Sequence, residues 1–82
     1  MTQDKLTYYC DDQRHLVCTP YSIENLHIMA ANLNIKRAWF HASSQFKHYD
    51  IPKRRIEEIT AQCQVVSSRE ILKIVKGEPL HG

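Results

Sequence analysis

Two short runs in this chain carry the side chains best suited to chemistry, Asp11-Asp12 and His48-Tyr49-Asp50. In extended chain His48 and Asp50 share a side, because side chains alternate along a strand. An imidazole and a carboxylate placed that way can bind one metal or one substrate together. With Asp11 or Asp12 beside them, the set offers the nitrogen and oxygen ligands that suit Mg²⁺, Mn²⁺ or Zn²⁺. His48 or Asp50 would then act as general base or metal ligand. Two adjacent acids leaving a strand cannot both point into the core, so one can turn toward a ligand while the other caps the turn. Asp11, Asp12, His48 and Asp50 are therefore the candidate catalytic and metal-ligating residues. Plainer roles stay open beside these: Asp12-Gln13 as a turn, Asp50 as a helix cap, Tyr49 as a core ring and His48 as a loop residue.

Other residues are candidates for ligand binding. His27 lies beside the apolar stripe of a helix, either as a satisfied, partly buried ring or as one that reaches the same rim. Trp39 follows Lys36-Arg37 and can stack on a base or join the core. Lys53-Arg54-Arg55 opens a helix, where positive charge opposes the helix dipole. Arg54 and Arg55 either reach solvent or hold a phosphate. Tyr49 completes this set with a phenol between the two chemical side chains.

The elements that must position these residues follow from periodicity. Lys5 to Asp12 is rich in β-branched and aromatic residues and predicts a strand. His15 to Thr19 predicts a second, short one, hairpinned to the first through Asp12-Gln13-Arg14. Ser22 caps a helix running to Leu33, with Ile23, Leu26, Ala30 and Leu33 on one face and Met29 at its edge. Asn34 tolerates the left-handed exit such a helix needs, and Ile35 folds back on the last turn. Ala38 to His41 is a strand or the start of a long loop. A second helix spans Pro52 to Gln62, with Ile56, Ile59 and Cys63 inward. Gln64 to Val66 is a short strand, Ser67 to Glu70 a capping box, and Ile71, Leu72 and Val75 the apolar side of a last helix ended by Gly77. Residues 78–82 read as a frayed tail.

This alternation predicts a single α/β domain over residues 1–82: a small, mostly parallel sheet of three to four strands with about three helices. Right-handed crossovers would gather the carboxyl ends of the strands on one edge, where α/β sheets bind ligands. Asp11-Asp12 and His48-Tyr49-Asp50 would then share a rim. At 82 residues the chain is one domain with a thin core, which a dimer contact would help. Apolar residues at 43% and charged residues at 24% match ordered globular proteins. No apolar run is long enough for a bilayer and the first residues lack a signal-peptide pattern, so the expected location is cytoplasmic. Cys10, Cys18 and Cys63 fit neither a disulfide framework nor a zinc knuckle and read as small buried hydrophobes. A net charge of +2 is too weak to imply nucleic acid by itself.

Tyr8-Tyr9-Cys10-Asp11-Asp12, Glu24-Asn25-Leu26-His27, Arg37-Ala38-Trp39-Phe40 and His48-Tyr49-Asp50 occur in that order. In this the chain resembles an uncharacterised family of small bacterial and phage proteins with a VYVDD…ELH…WF…HYD pattern, from about Leu6 to Val75. Cys10 stands where that pattern has valine, and Cys63-Gln64 where Gly-Ala is common. The resemblance implies no activity. It implies that Asp11, Asp12, His27, Trp39, His48, Tyr49 and Asp50 belong to one shared pattern, and it makes a phage setting plausible. Three functions are open. The first is a small-molecule or nucleotide site, metal-assisted and hydrolytic, on Asp11, Asp12, His48 and Asp50. The second is a non-catalytic module that binds a host protein. The third is a nucleic-acid binder using Lys36, Arg37, Lys53, Arg54 and Arg55 with Trp39.

Overall fold

Strand β1 (Thr7–Cys10) and strand β2 (His15–Thr19) form an antiparallel hairpin, with Tyr9 opposite Val17 and Cys10 opposite Leu16. The computed structural model describes residues 5–42 and 45–78. The hairpin turn closes through Arg14 N to Asp11 O at 3.4 Å, with Arg14 itself left-handed at φ 69°. That conformation strains a residue with a Cβ, and Arg14 is held there from both ends. Its carbonyl accepts from Ile51 N at 2.9 Å, and its Nη1 donates to Ile51 O at 3.1 Å.

Helix α1 (Ile23–Asn32) starts at Ser22, whose Oγ accepts from Asn25 N at 3.0 Å. It ends as its residues dictate. Asn34 sits at φ 58°, Asn34 N donates to Ala31 O, and Ile35 N donates to Ala30 O at 2.8 Å. This paired closure satisfies carbonyls that the helix leaves open, and buried Ile35 folds under it. A 3₁₀ turn at Arg37–Trp39 leads into β3 (Phe40–His41), and β4 (His48–Asp50) returns antiparallel to it. A second 3₁₀ turn, Lys53–Arg55, precedes α2 (Ile56–Thr60). Strand β5 (Gln64–Val65) and helix α3 (Ser68–Lys76) complete the chain. Helix α3 carries the full capping box between Ser67 and Glu70, and Gly77 ends it at φ 77°.

The sheet corrects the expected topology. Among the described residues it has five strands in the order β3-β4-β2-β1-β5, and of their pairings only β1–β5 is parallel. The sheet is therefore mixed and not mostly parallel. The hairpin between β1 and β2 reverses the chain at once, and the short β3–β4 connection reverses it again, while α1 and α2 carry the crossovers from β2 to β3 and from β4 to β5. His48-Tyr49-Asp50 is a strand, in which Tyr49 alternates inward against Leu16 and Phe40. The second helix is also shorter than expected, because Arg55 at φ −116° and ψ 15° separates the 3₁₀ turn from α2.

The two faces of the sheet differ. Directly paired residues share a face and neighbours along a strand do not. Leu16, Cys18, Tyr49 and Phe40 thus face α1, whose buried Leu26, Met29 and Ala30 pack there. His15, Val17, His41, His48 and Asp50 take the opposite face. Helix α3 packs over β2 and β1 on that side through Ile71 and Ile74. Beyond it, the β4–β3 part of the face carries the imidazoles. Ile23, Ile56 and Leu72, expected inward, are exposed at 46%, 38% and 38%. Ile23 and Ile56 open their helices, ahead of the turn that meets the sheet. Leu72 lies on the flank of α3, where Ile74 takes the core position.

Leu26 is fully buried at the centre of the α1 contact. Leu26→Ala should lower unfolding free energy by about 2–5 kcal/mol in urea titration. The surface change Ser67→Ala should cost only about 1 kcal/mol, through loss of the cap.

Candidate functional site

Asp11 leaves β1 with its side chain fully buried. Its Oδ1 accepts from Gln13 N at 2.9 Å and from His15 N at 3.0 Å. Its Oδ2 accepts from Ser68 Oγ at 2.6 Å and faces His15 Nδ1 at 2.8 Å. A buried carboxylate with both oxygens so filled has no room for a ligand of its own. Burial pushes its pKa up, but the bonds from Ser68, His15 and Gln13 outweigh that and hold it below the usual carboxylate range. An ionised Asp11 accepts the Nδ1–H of His15, which fixes the tautomer and leaves Nε2 of that ring free.

The ring of His15 meets the ring of His48 edge-on, with centroids 4.8 Å apart and planes at 89°. His48 in turn stacks on His41, at 4.9 Å and 6°. These neighbours are set by strand register: His15 pairs with Asp50 and His41 pairs with His48. Asp50 completes the group, with Oδ2 at 2.8 Å from His41 Nε2 and Oδ1 at 3.4 Å from His48 Nε2. One ligand atom from each of His41, His48 and Asp50 lies within 4.8 Å of the others.

His48 is oriented from behind. Its Nδ1 donates to Phe46 O at 2.6 Å, since a carbonyl can only accept. A neutral His48 ring therefore turns the lone pair of Nε2 toward the carboxylate of Asp50. Two acceptors that face each other require a proton or a cation between them. Ligand atoms on a tetrahedral ion with bonds of about 2.0–2.1 Å stand about 3.3 Å apart, close to the 3.4 Å seen between His48 and Asp50. By donor type, two imidazoles and one carboxylate, the set suits a divalent transition metal, and the 2.8 Å His41–Asp50 hydrogen bond would open to admit one. Next to this set runs a groove of about 360 Å³, lined by the polar His15, His48 and Ser68 and by the apolar Phe46, Ile71, Leu72 and Val75.

The residues expected from sequence divide clearly. His48 and Asp50 sit together on one face, as their spacing requires. Asp11 joins them only through His15. Asp12 is exposed on the turn, where its carboxylate accepts from Gln13 Nε2 at 3.3 Å. His27 and Tyr49 lie on the α1 face, with His27 Nδ1 at 2.8 Å from Tyr49 Oη and the His27 ring against Phe40. Burial there, with the charge of Arg37, lowers the pKa of His27, and burial raises that of the Tyr49 phenol. Arg55 is committed to structure: it donates to Leu33 O at 2.7 Å and Asn34 O at 2.8 Å and pairs with Glu58 at 2.7 Å. Trp39 and Arg54 line a separate cleft. Burial pushes the thiol of Cys63 up to about 12 and that of Cys18 to about 11, so both stay protonated at neutral pH.

His15, His41 and Ser68 were not legible as site residues. His41 and His15 enter through strand register, which a single sequence does not display. Ser68 enters through the docking of α3, 57 positions from its partner Asp11.

A family model described as protein of unknown function (DUF4031) matches residues 9–78 of the chain. That span contains every residue of the cluster, from Asp11 to Ser68. No curated protein and no solved structure matches.

The depressed pKa of Asp11 sets a pH dependence. A carboxyl group whose folded pKa lies below its unfolded value of about 3.9 contributes stability above that value. The contribution disappears as pH falls through the folded pKa. Urea titrations between pH 7 and pH 2 should show the native chain losing stability in the acid range more steeply than Asp11→Asn. At pH 7 the variant should be less stable by about 1–3 kcal/mol, because donors from Ser68 and His15 lose their acceptor.

Proposed function

The chain belongs to the DUF4031 family, and we propose that it is a divalent-metal site with hydrolytic chemistry. In this reading His41, His48 and Asp50 hold the ion, and Asp11 with His15 handles the proton. The observation that carries it is the geometry around His48, whose Nδ1 is spent on Phe46 O while its Nε2 faces the Asp50 carboxylate at 3.4 Å. Two imidazoles and one carboxylate suit zinc and its neighbours in the first transition row. Three protein ligands leave positions for water and substrate. The ion would supply Lewis acidity and a bound water with a pKa near ~7.

His15, whose ring centroid stands 4.8 Å from that of His48, would be the base for such a water. Its Nε2 would accept a proton from such a water as the oxygen added to the electrophile, and would return that proton to the leaving group. Asp11 keeps the ring in the right tautomer and balances the imidazolium that forms between the two steps. Phe46, Ile71, Leu72 and Val75 make most of the groove's lining apolar, which limits water there. The exposure of the ligands, 49% for the His41 side chain against 13% for His48, supports an ion reached from the His41 side.

The test is a thermal-shift series with Zn²⁺, Co²⁺, Ni²⁺ and Mn²⁺. An ion at a hundred times its dissociation constant adds about 2.7 kcal/mol, and a domain of this size moves about 4–8 °C per kcal/mol. His48→Ala and Asp50→Asn should each abolish the shift. With Co²⁺ bound, a visible absorption band should appear and vanish in the same variants. If no ion shifts the native protein, the metal reading fails, and the apolar groove would favour a non-catalytic module that binds a protein partner.

A separate assay addresses the proton. Metal-loaded His15→Gln should keep the thermal shift and lose at least about tenfold in hydrolysis of an activated phosphodiester. Equal rates in variant and native protein would remove His15 from the reaction.

A further inference from the structure

A second concave surface opens where the chain leaves the metal-ligand strands. It measures about 660 Å³, within the range of small-molecule sites. Arg14, Lys36, Lys53, Arg54 and Arg55 line it with Trp39, and no acidic residue among the described ones does. These are five of the eleven lysines and arginines in a chain of net charge +2. The positive charge is thus concentrated and not spread. Arg55 is occupied by Glu58 and the carbonyls of Leu33 and Asn34. Arg14 spends Nη1 on Ile51 O. Among the described residues, Lys36, Lys53 and Arg54 form no ion pair.

Unpaired cations that converge on a concavity repel one another and raise the local potential, which an anion relieves. Guanidinium groups favour phosphate among anions, because their donors match its oxygens. Trp39, 37% exposed on the same wall, adds an aromatic face. It is the only tryptophan in the chain.

We propose that this cleft binds a nucleotide unit, with the base against Trp39 and the phosphate held by Arg14, Lys36, Lys53 and Arg54. Three residues of the cleft lie one or two positions from the candidate centre. Arg14 precedes His15, Trp39 precedes His41 by two, and Pro52 follows Asp50 by two. The cleft shares no lining residue with the groove of the hydrolytic reading and joins it through these chain neighbours. The substrate class that follows, a phosphoester of a nucleotide, rests on that reading, whereas nucleotide binding does not.

The experiment therefore runs on metal-free protein in EDTA, with Trp39 fluorescence as the signal. A mixture of the common nucleoside monophosphates and a short single-stranded oligonucleotide are titrated separately. Saturable quenching is expected, because base–indole stacking brings the two rings into contact. Quenching by both probes identifies a free nucleotide as sufficient, and quenching by the oligonucleotide alone identifies a strand. Lys53 and Arg54 are exposed, so Lys53→Ala/Arg54→Ala should keep the native melting temperature and weaken binding roughly tenfold or more. For the oligonucleotide, the log–log salt slope should be about −3 for the native chain and about half that in the double variant. His48→Ala should quench as the native chain does, which separates this site from the metal centre. Absence of quenching by either probe, or equal affinity in the double variant, would overturn the proposal.

Discussion

The buried carboxylate of Asp11 is the constraint on which the rest of the molecule depends. It fills both oxygens from three parts of the chain: the turn at Gln13, the start of β2 at His15 and the first turn of α3 at Ser68. A charge without solvent is tolerable only when its lone pairs are used. That requirement closes the hairpin and docks α3 at one register. It also points the imidazole of His15 across the sheet toward His48. The core is thin, and an error in this network would expose apolar surface on α3 at the same time as it misplaced the site. Stability and site geometry therefore share one side chain.

Local chemistry was legible and long-range pairing was not. Ser22, Asn34, the Ser67–Glu70 box and Gly77 mark the helix ends in the sequence because caps act through neighbours within a few residues. His48 and Asp50 were legible for a similar reason, since an i,i+2 spacing becomes a shared face as soon as the segment is extended. The mixed sheet was not legible, because alternation of strands and helices does not state which strand pairs with which. The hairpin at Asp11–Arg14 changes the direction of β2 and with it the parallel expectation. His15 looks like an ordinary strand residue until Asp50 is opposite it. Asp12, equal to Asp11 in sequence, separates from it through alternation: one acid turns into the network and the other into solvent.

Basic residues show the same limit. Lys53-Arg54-Arg55 reads as one run, yet its members do different things. Arg55 folds back to close the end of α1, where helix carbonyls attract a guanidinium. Lys53 and Arg54 stay outward with Lys36. A net charge of +2 also concealed this arrangement, because a sum over the chain is blind to segregation.

A chain of this size has little interior in which to enclose a pocket, and the structure uses register in place of volume. Two antiparallel pairings bring four polar side chains to one face: His15 opposite Asp50, and His41 opposite His48. Cross-strand partners stand about 4.5–5.5 Å apart at Cβ, which lets their polar ends meet. No long loop has to be ordered to achieve it, so the entropic cost is that of the sheet itself. The opposite face of the same strands carries Leu16, Tyr49 and Phe40 into the core, so a slip of one residue would bury the imidazoles and expose those rings. Hydrophobic burial on the α1 side thus enforces the polar geometry on the other. The tightness of the cluster follows from the core rather than from any attraction among its own members.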